Sequence, residues 1–185
     1  MKFSVVRKLL VLPLAMLALA AVSHADTYYL SVVGQKQGQI KGSVTIKGRE
    51  NSILVSELSH SIVSPRDPQS GLPTGQRMHK PFVVTMPLDK ASPLLFQALC
   101  TNENLTQVTL KEWNPATNAA TGVGSEVQAW TIKLANASIS SIDTDVVKDA
   151  AGKNQTVLVV AFTYQKIDWT WNDGGITATD SWASR

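Results

Sequence analysis

Apolar and polar positions alternate along most of the chain after residue 27, the pattern of half-buried β-strands. Tyr28–Val33 is apolar and β-branched. Val44–Lys47 is a short further strand candidate between glycines. Across Ile53–Val63, Leu54, Leu58, His60 and Ile62 share one face, and Glu57, Ser59 and Ser61 share the other. Phe82–Met86 turns Phe82, Val84 and Met86 to one side. Leu105–Trp113 and Val127–Ile139 follow, joined by the turn-rich Asn114–Gly124. In the second of these, Trp130, Ile132 and Leu134 alternate with Thr131 and Lys133. Thr156–Trp171 is long, and Val157–Val160 is apolar on both faces, so this strand is expected to bend or to serve two sheets.

The period changes once. Ser92 and Pro93 suit an N-cap and a first helical position. Leu94, Leu95, Ala98 and Leu99 then form a stripe, and Asn102 is a reasonable stop. The spacing predicts one helix of about ten residues, roughly three turns. Seven or eight strands with meander-like spacing and one helix predict a mainly β fold. The expected form is an antiparallel two-sheet β-barrel or sandwich with one short α-helix plugging a side or end. A chain of 185 residues can build one proper core, and no repeat or linker divides it.

The first 25 residues follow another pattern. Lys2, Arg7 and Lys8 precede the apolar run Leu9–Val22, and Ser23-His24-Ala25 offers small residues where a signal peptidase reads. This predicts a secretory leader cleaved after Ala25, leaving one domain over 26–185. The apolar run is shorter than the roughly 20 residues that span a bilayer, and no later stretch would span one. The leader also changes the charge balance. The whole chain carries 17 Lys+Arg against 14 Asp+Glu, a net +3. Without the leader's three bases the count is 14 against 14. No basic stripe for nucleic acid remains, and near-zero net charge does little to oppose self-association. The single cysteine, Cys100, excludes an internal disulfide, and its apolar neighbours make it read as a small buried residue.

Ser64–Pro81 breaks every period. Its four prolines, two glycines and four charged side chains predict an irregular loop, and compact domains seldom keep one this long without a use. Catalysis does not explain it. His60 alternates with Leu58 and Ile62 and reads as an inward-facing, satisfied histidine. His60 and His79 are too few for a zinc site of three or four ligands. Asp67, Ser70 and His79 supply the residue types of a nucleophilic triad, but no nucleophile elbow or oxyanion hole positions them. Thr74-Gly75-Gln76-Arg77 lacks the ending of a phosphate loop. Asp143, Asp145 and Asp149 read as a solvated turn. No catalytic residues, metal or cofactor are expected.

Asp67-Pro-Gln-Ser-Gly-Leu-Pro-Thr-Gly-Gln-Arg-Met-His-Lys-Pro81 resembles the signature of the haemolysin-coregulated protein (Hcp) family, the tube proteins of bacterial type VI secretion systems. The resemblance continues in order through Tyr29–Gly34 with Gln37-Gly38, Ser59-His60, Asp89-Lys90-Ala91-Ser92-Pro93-Leu94-Leu95, Tyr164-Gln165-Lys166-Ile167 and Asp180-Ser181-Trp182. It covers residues 28–183. What it implies is a small two-sheet β-barrel with one helix at its side, and a structural role without enzymatic activity. Such subunits form hexameric rings that stack into an exported hollow tube, whose lumen can carry effector proteins. Implied partners are further copies of the chain, effectors, and spike or sheath components, with no nucleic acid and no membrane once the leader is removed. The implied location is outside the cell. The loop, folded back on itself, reaches up to about 25 Å at roughly 3.3 Å per residue. Asp67, Gln69, Ser70, Gly71, Thr74, Gly75, Arg77, His79 and Lys80 are therefore expected at a contact between copies. The leader departs from the family pattern, in which the tube is built in the cytoplasm. Two readings stay open: export by way of the periplasm, as a ring former or as a stand-alone binding module, or a working start near Tyr28.

Overall fold

Buried and exposed positions alternate along the strands of the computed structural model, which describes residues 26–117 and 124–182. The expected leader 1–25, with Ala25, and positions 118–123 of the expected turn lie outside these residues. The elements in chain order are β1 (Thr27–Gly34), β2 (Gly38–Ile40), β3 (Ile53–Val55), β4 (Glu57–Ser59), β5 (Ile62–Val63), β6 (Met78–His79), β7 (Phe82–Pro87), α1 (Ser92–Cys100), β8 (Leu105–Thr117), β9 (Gly124–Lys148), β10 (Asn154–Trp171) and β11 (Ile176–Ser181). The mainly β, antiparallel architecture with one short helix is the one the sequence predicts.

The main sheet runs β1-β8-β9-β10-β7. At one end β1 pairs with β3, Leu30 opposite Ile53. At the other end β7 pairs with β4, Val84 opposite Leu58. A single residue, Ser56, separates β3 from β4, and its amide donates to the Thr85 carbonyl at 2.8 Å. The run Ile53–Ser59 thus joins both ends of the path and closes it into a barrel, leaving those two edges paired. Register shifts at Val33/Gly34, Glu112/Trp113 and Ala161/Phe162 add extra residues at three places. Such bulges bend a strand and increase its twist, which lets long strands roll round a core.

Side chains on the inner face fill the barrel. Leu30 and Val32 of β1, Val108 of β8, Leu134 of β9, Leu158, Val160 and Phe162 of β10, and Phe82, Val84 and Met86 of β7 are all buried. α1 packs against β9 and buries Leu95 and Ala98. Burying a Leu, Val or Phe side chain stabilises by about 1.5–3 kcal/mol. The long β10, expected to bend or to serve two sheets, stays within one sheet and takes two neighbours on one edge, Val157–Phe162 pairing with β7 and Lys166–Trp171 with β11.

Several elements differ from expectation. Val44–Lys47 is not a strand. It lies in a loop that turns on itself, held by Gly42 N to Asn51 O at 2.8 Å and Asn51 N to Val44 O at 2.8 Å. The loop is pinned by Arg49, whose guanidinium lies 4.1 Å from the Trp113 ring centroid and 5.0 Å from that of Tyr29. Arg49 also donates to the Tyr29 hydroxyl at 3.1 Å and forms an ion pair with Glu126. Ile53–Val63 is divided into β3, β4 and β5, because its segments pair with three different partners. The helix starts one residue early. Ser92 is its first residue, Ala91 holds the cap position, and the Ser92 hydroxyl accepts from the Asp89 amide at 3.0 Å. Cys100 is exposed, not buried, because the helix ends there with Leu95 and Ala98 on the inner side. Asp143 and Asp145 sit in β9, which extends well past Ile139 by pairing with β10, and only Asp149 falls in a turn.

Candidate functional site

The loop that opened the functional question is a partly paired ribbon, not an irregular excursion. Ile62 stands opposite His79 and Val63 opposite Met78. Beyond them, Arg66 bridges Pro73, and the Thr74 amide donates to the Pro65 carbonyl at 3.0 Å. Prolines interrupt such a ladder without abolishing it, since a proline carbonyl still accepts. The tip is an Asx turn. Asp67 Oδ1 accepts from the Gln69 amide at 3.0 Å, the Ser70 amide at 2.7 Å and the Ser70 hydroxyl at 2.9 Å. Those bonds, those from Ser70 first, lower the Asp67 pKa. Gly71 closes the turn at φ 70°, a value that favours glycine. Ile62, Val63, Leu72 and Met78 are exposed along the ribbon, Leu72 by 66%.

The root of the ribbon is clasped to the barrel by a line of polar side chains. Arg77 pairs with the Asp180 carboxylate of β11 through both Nε and Nη2. Asp180 Oδ2 lies 2.8 Å from His79 Nε2. His79 Nδ1 lies 2.8 Å from the Tyr164 hydroxyl, which lies 2.6 Å from His60 Nε2. The strands dictate this convergence. His79 is placed by its pairing with Ile62 in β5–β6, Tyr164 sits mid-way along β10, and Asp180, next to last in β11, stands opposite Ile167 of β10. Trp182 flanks the line, its ring 5.4 Å from that of His79.

Electrostatics fix the proton positions. Hydrogen bonds from Arg77 first, and from His79, hold the Asp180 pKa down to about 2 against the opposing effect of burial. Asp180 is therefore a carboxylate and an acceptor, and His79 must donate from Nε2. A neutral His79 then accepts at Nδ1 from the Tyr164 hydroxyl, and Tyr164 in turn accepts from His60 Nε2. Burial, with Asp180 adding to it, pushes the Tyr164 pKa up to about 12, so the phenol keeps its proton. Burial, and then the nearby His79, lower the His60 pKa.

The sign of the Asp180 effect gives a pH dependence. A carboxylate pKa depressed on folding stabilises above the ordinary value of 3.8, and that contribution is lost as pH falls towards about 2. With solvent screening allowed for, it amounts to about 1 kcal/mol at neutral pH. Asp180→Asn should lower the melting temperature by roughly 2–4 °C at pH 7. It should also flatten the wild-type decline between about pH 4 and pH 2. An acid limb identical to wild type would show that another carboxylate carries it.

The structure separates the loop residues expected at a contact. Gln69, Ser70, Gly71, Thr74 and Gly75 are exposed at and near the tip, and Lys80 is exposed at the root. Asp67 is half-buried within the turn it organises. Arg77 and His79 turn back onto the barrel, where the His79 side chain is only 5% exposed. Ser70 is bonded to Asp67, whereas His79 is bonded to Asp180 and Tyr164, so the three residue types of a triad are not assembled. His60 is satisfied by Tyr164, as the alternation predicts. The roles of Tyr164 and Asp180 had no local signal, because each meets the loop across about a hundred residues of chain. No group of three or more His, Cys, Asp and Glu residues suited to a metal occurs among the described residues.

Comparisons place this geometry among known proteins. A family model described as "Type VI secretion system effector, Hcp" matches residues 29–171. The major exported protein of Pseudomonas aeruginosa is 39% identical over 172 residues, covering 86% of this chain and 97% of that protein. The structure of a double mutant of Hcp1 from the E. coli EAEC 042 pathovar superposes with a TM-score of 0.72 at 33% identity, covering 85% of this chain and 99% of that one. The secreted protein Hcp3 of Pseudomonas aeruginosa superposes with a TM-score of 0.66 at 31% identity, covering 86% of this chain and 100% of that one.

Proposed function

The chain belongs to the Hcp family of type VI secretion proteins, and on that premise we propose that it is a structural subunit of the secretion tube, forming hexameric rings that stack and are exported. The observation that carries this reading is the ribbon: it projects from the barrel, is anchored at its root, and exposes Ile62, Val63, Leu72 and Met78. Apolar side chains exposed together on one projection favour a protein partner. A ribbon that engages a different surface on the next copy makes a heterologous contact, the type that closes rings and stacks them. In this reading Gln69, Ser70, Gly71, Thr74, Gly75 and Lys80 meet the neighbouring copy, while Asp67, Arg77 and His79 hold the ribbon in shape. Effector proteins and spike or sheath components are the further partners, and no catalytic step is assigned.

The leader pattern supports export of a single domain spanning 26–185 after cleavage at Ala25, with the periplasm as the route. It equally favours a second reading, a stand-alone exported binding module. Size measurement separates the two. The full domain should form rings at high concentration, and a strictly monomeric species would overturn the tube reading. Deleting Gln69–Gln76 should leave a folded barrel that assembles poorly, and stacking that survived the deletion would remove the loop from the contact. Export that persists without type VI components would favour the stand-alone module.

A further inference from the structure

Two histidines share one tyrosine hydroxyl at the root of the ribbon. Tyr164 Oη lies 2.6 Å from His60 Nε2 and 2.8 Å from His79 Nδ1. A phenol has one proton to donate. With both histidines neutral the line is satisfied throughout: His60 donates to Tyr164, Tyr164 to His79, and His79 to Asp180. With one histidine protonated it is still satisfied. If His79 carries the extra proton, Tyr164 reverses and donates to a neutral His60. With both protonated, His60 Nε2 and His79 Nδ1 each aim a proton at the same oxygen, and the Tyr164 hydroxyl loses its acceptor. Two imidazolium rings with centroids 6.4 Å apart then face a single carboxylate.

We propose that the His60–Tyr164–His79–Asp180–Arg77 line is an acid-sensitive clasp, which holds the Ile62–His79 ribbon against the barrel near neutral pH and releases its root in mild acid. The surroundings support this. Among the described residues, Arg77 and Lys80 on the ribbon and Asp180 on β11 are charged groups at the root, and Lys166 of β10, ion-paired with Asp168, stands opposite Ser181 nearby. Phe82, with its ring 5.5 Å from that of His60, and Pro81, Thr163 and Trp182, which line a cavity with His79, add no charge. Among the described residues, Asp180 is the carboxylate that meets the histidine pair, through His79. Asp180 is already shared with Arg77, so it offers the pair only part of a charge. The lowered His60 pKa and the raised Tyr164 pKa agree with a line built around neutral imidazoles. Besides the line itself, the root is held by Arg77 Nη2 donating to the Ser181 carbonyl at 3.0 Å, and the ribbon by two paired positions in β5–β6, one bridge, and turn bonds such as Lys80 N to Ser61 O.

Hydrogen exchange of the full chain, followed by mass spectrometry and corrected for intrinsic rates, tests the clasp. Between about pH 7.5 and pH 5, the protection of peptides spanning 61–80 should fall by roughly tenfold, while peptides from β8 and β9 stay protected. His60→Gln should abolish the pH effect and keep the ribbon closed, because an amide at this position donates or accepts after a half-turn and never gains a charge. Tyr164→Phe should loosen the ribbon at both pH values and shrink the difference between them. Ribbon protection that changes by less than about twofold in wild type, or a full wild-type change retained in His60→Gln, would overturn the proposal. This readout does not depend on assembly. Rings with a pH-independent ribbon would remove the clasp alone, and a monomer with a pH-dependent ribbon would remove the tube reading alone.

Discussion

Phe162→Ala should lower folding stability by about 3–5 kcal/mol, the range for truncating a large aromatic in a packed core. Phe162 has no exposed surface and stands in β10 between Phe82 of β7 and Ile139 of β9. It follows directly on the register shift at Ala161/Phe162, where the Ser140 hydroxyl donates to the Ala161 carbonyl at 3.1 Å. The backbone there is held on both sides and cannot collapse into the space left by the ring. A site that relaxes poorly falls at the upper end of the range. For a chain of this size the melting temperature should drop by at least roughly 6 °C. Chemical denaturation followed by circular dichroism measures the loss, and a change below about 1 kcal/mol would contradict the packing described.

Gly42→Ala should cost about 2–3 kcal/mol, at the high end of overpacking for so small an addition. Its backbone needs no left-handed conformation, so the requirement is space. A methyl group at Gly42 would lie 2.1 Å from the Ser52 carbonyl oxygen, 2.5 Å from its carbon and 2.7 Å from Ile53 Cγ1. Neither side of the contact can retreat. The Gly42 amide donates to Asn51 O at 2.8 Å, the Val44 amide to Ser52 O at 3.2 Å, and the Ser52 hydroxyl to Arg49 O at 2.6 Å. Gly38→Ala makes the contrast. Gly38 has φ 68° and open space where its methyl group would go, so that substitution should cost only about 1 kcal/mol, through backbone strain. Equal losses in the two variants would show that close approach is not what Gly42 provides.

Strands whose two faces differ in polarity were legible in the sequence: Phe82, Val84 and Met86 alternate inward as their spacing predicts. So was the helix, to within one residue, because Pro93 and the Leu95/Ala98 spacing act locally. What the pattern could not express was pairing. The spacing puts Leu54 on the face of Leu58 and His60, yet Ile53 and Val55 are the buried residues and Leu54 is exposed, because the chain changes partners at Ser56 and again after Ser59. Asp143 and Asp145 look like a turn because both faces of that stretch are wet, but β10 supplies the hydrogen bonds that extend the strand. Cys100 shares the helix with apolar neighbours and still points outward, because helix phase, not local composition, decides its side. Ser64–Pro81 was recognisable as exceptional from its prolines and glycines, but its ordered ribbon depends on cross-ribbon bonds. The clasp depends on Tyr164 and Asp180, which only the closed barrel brings near His60 and Arg77.

The closing run Ile53–Ser59 leads through His60 directly into the ribbon. It is a mechanical seam, stitched by three paired positions to β1 and three to β7. A pull on the ribbon enters the barrel at both its ends, through His60 into β4 and through Lys80 and Pro81 into β7, and the bonds of His60 and His79 to Tyr164 stand at those two entries. With the clasp closed, force is shared with β10 and β11. With it open, the same force falls on the short β4–β7 ladder, and the barrel would unzip at its seam before its long β9–β10 pairing yields.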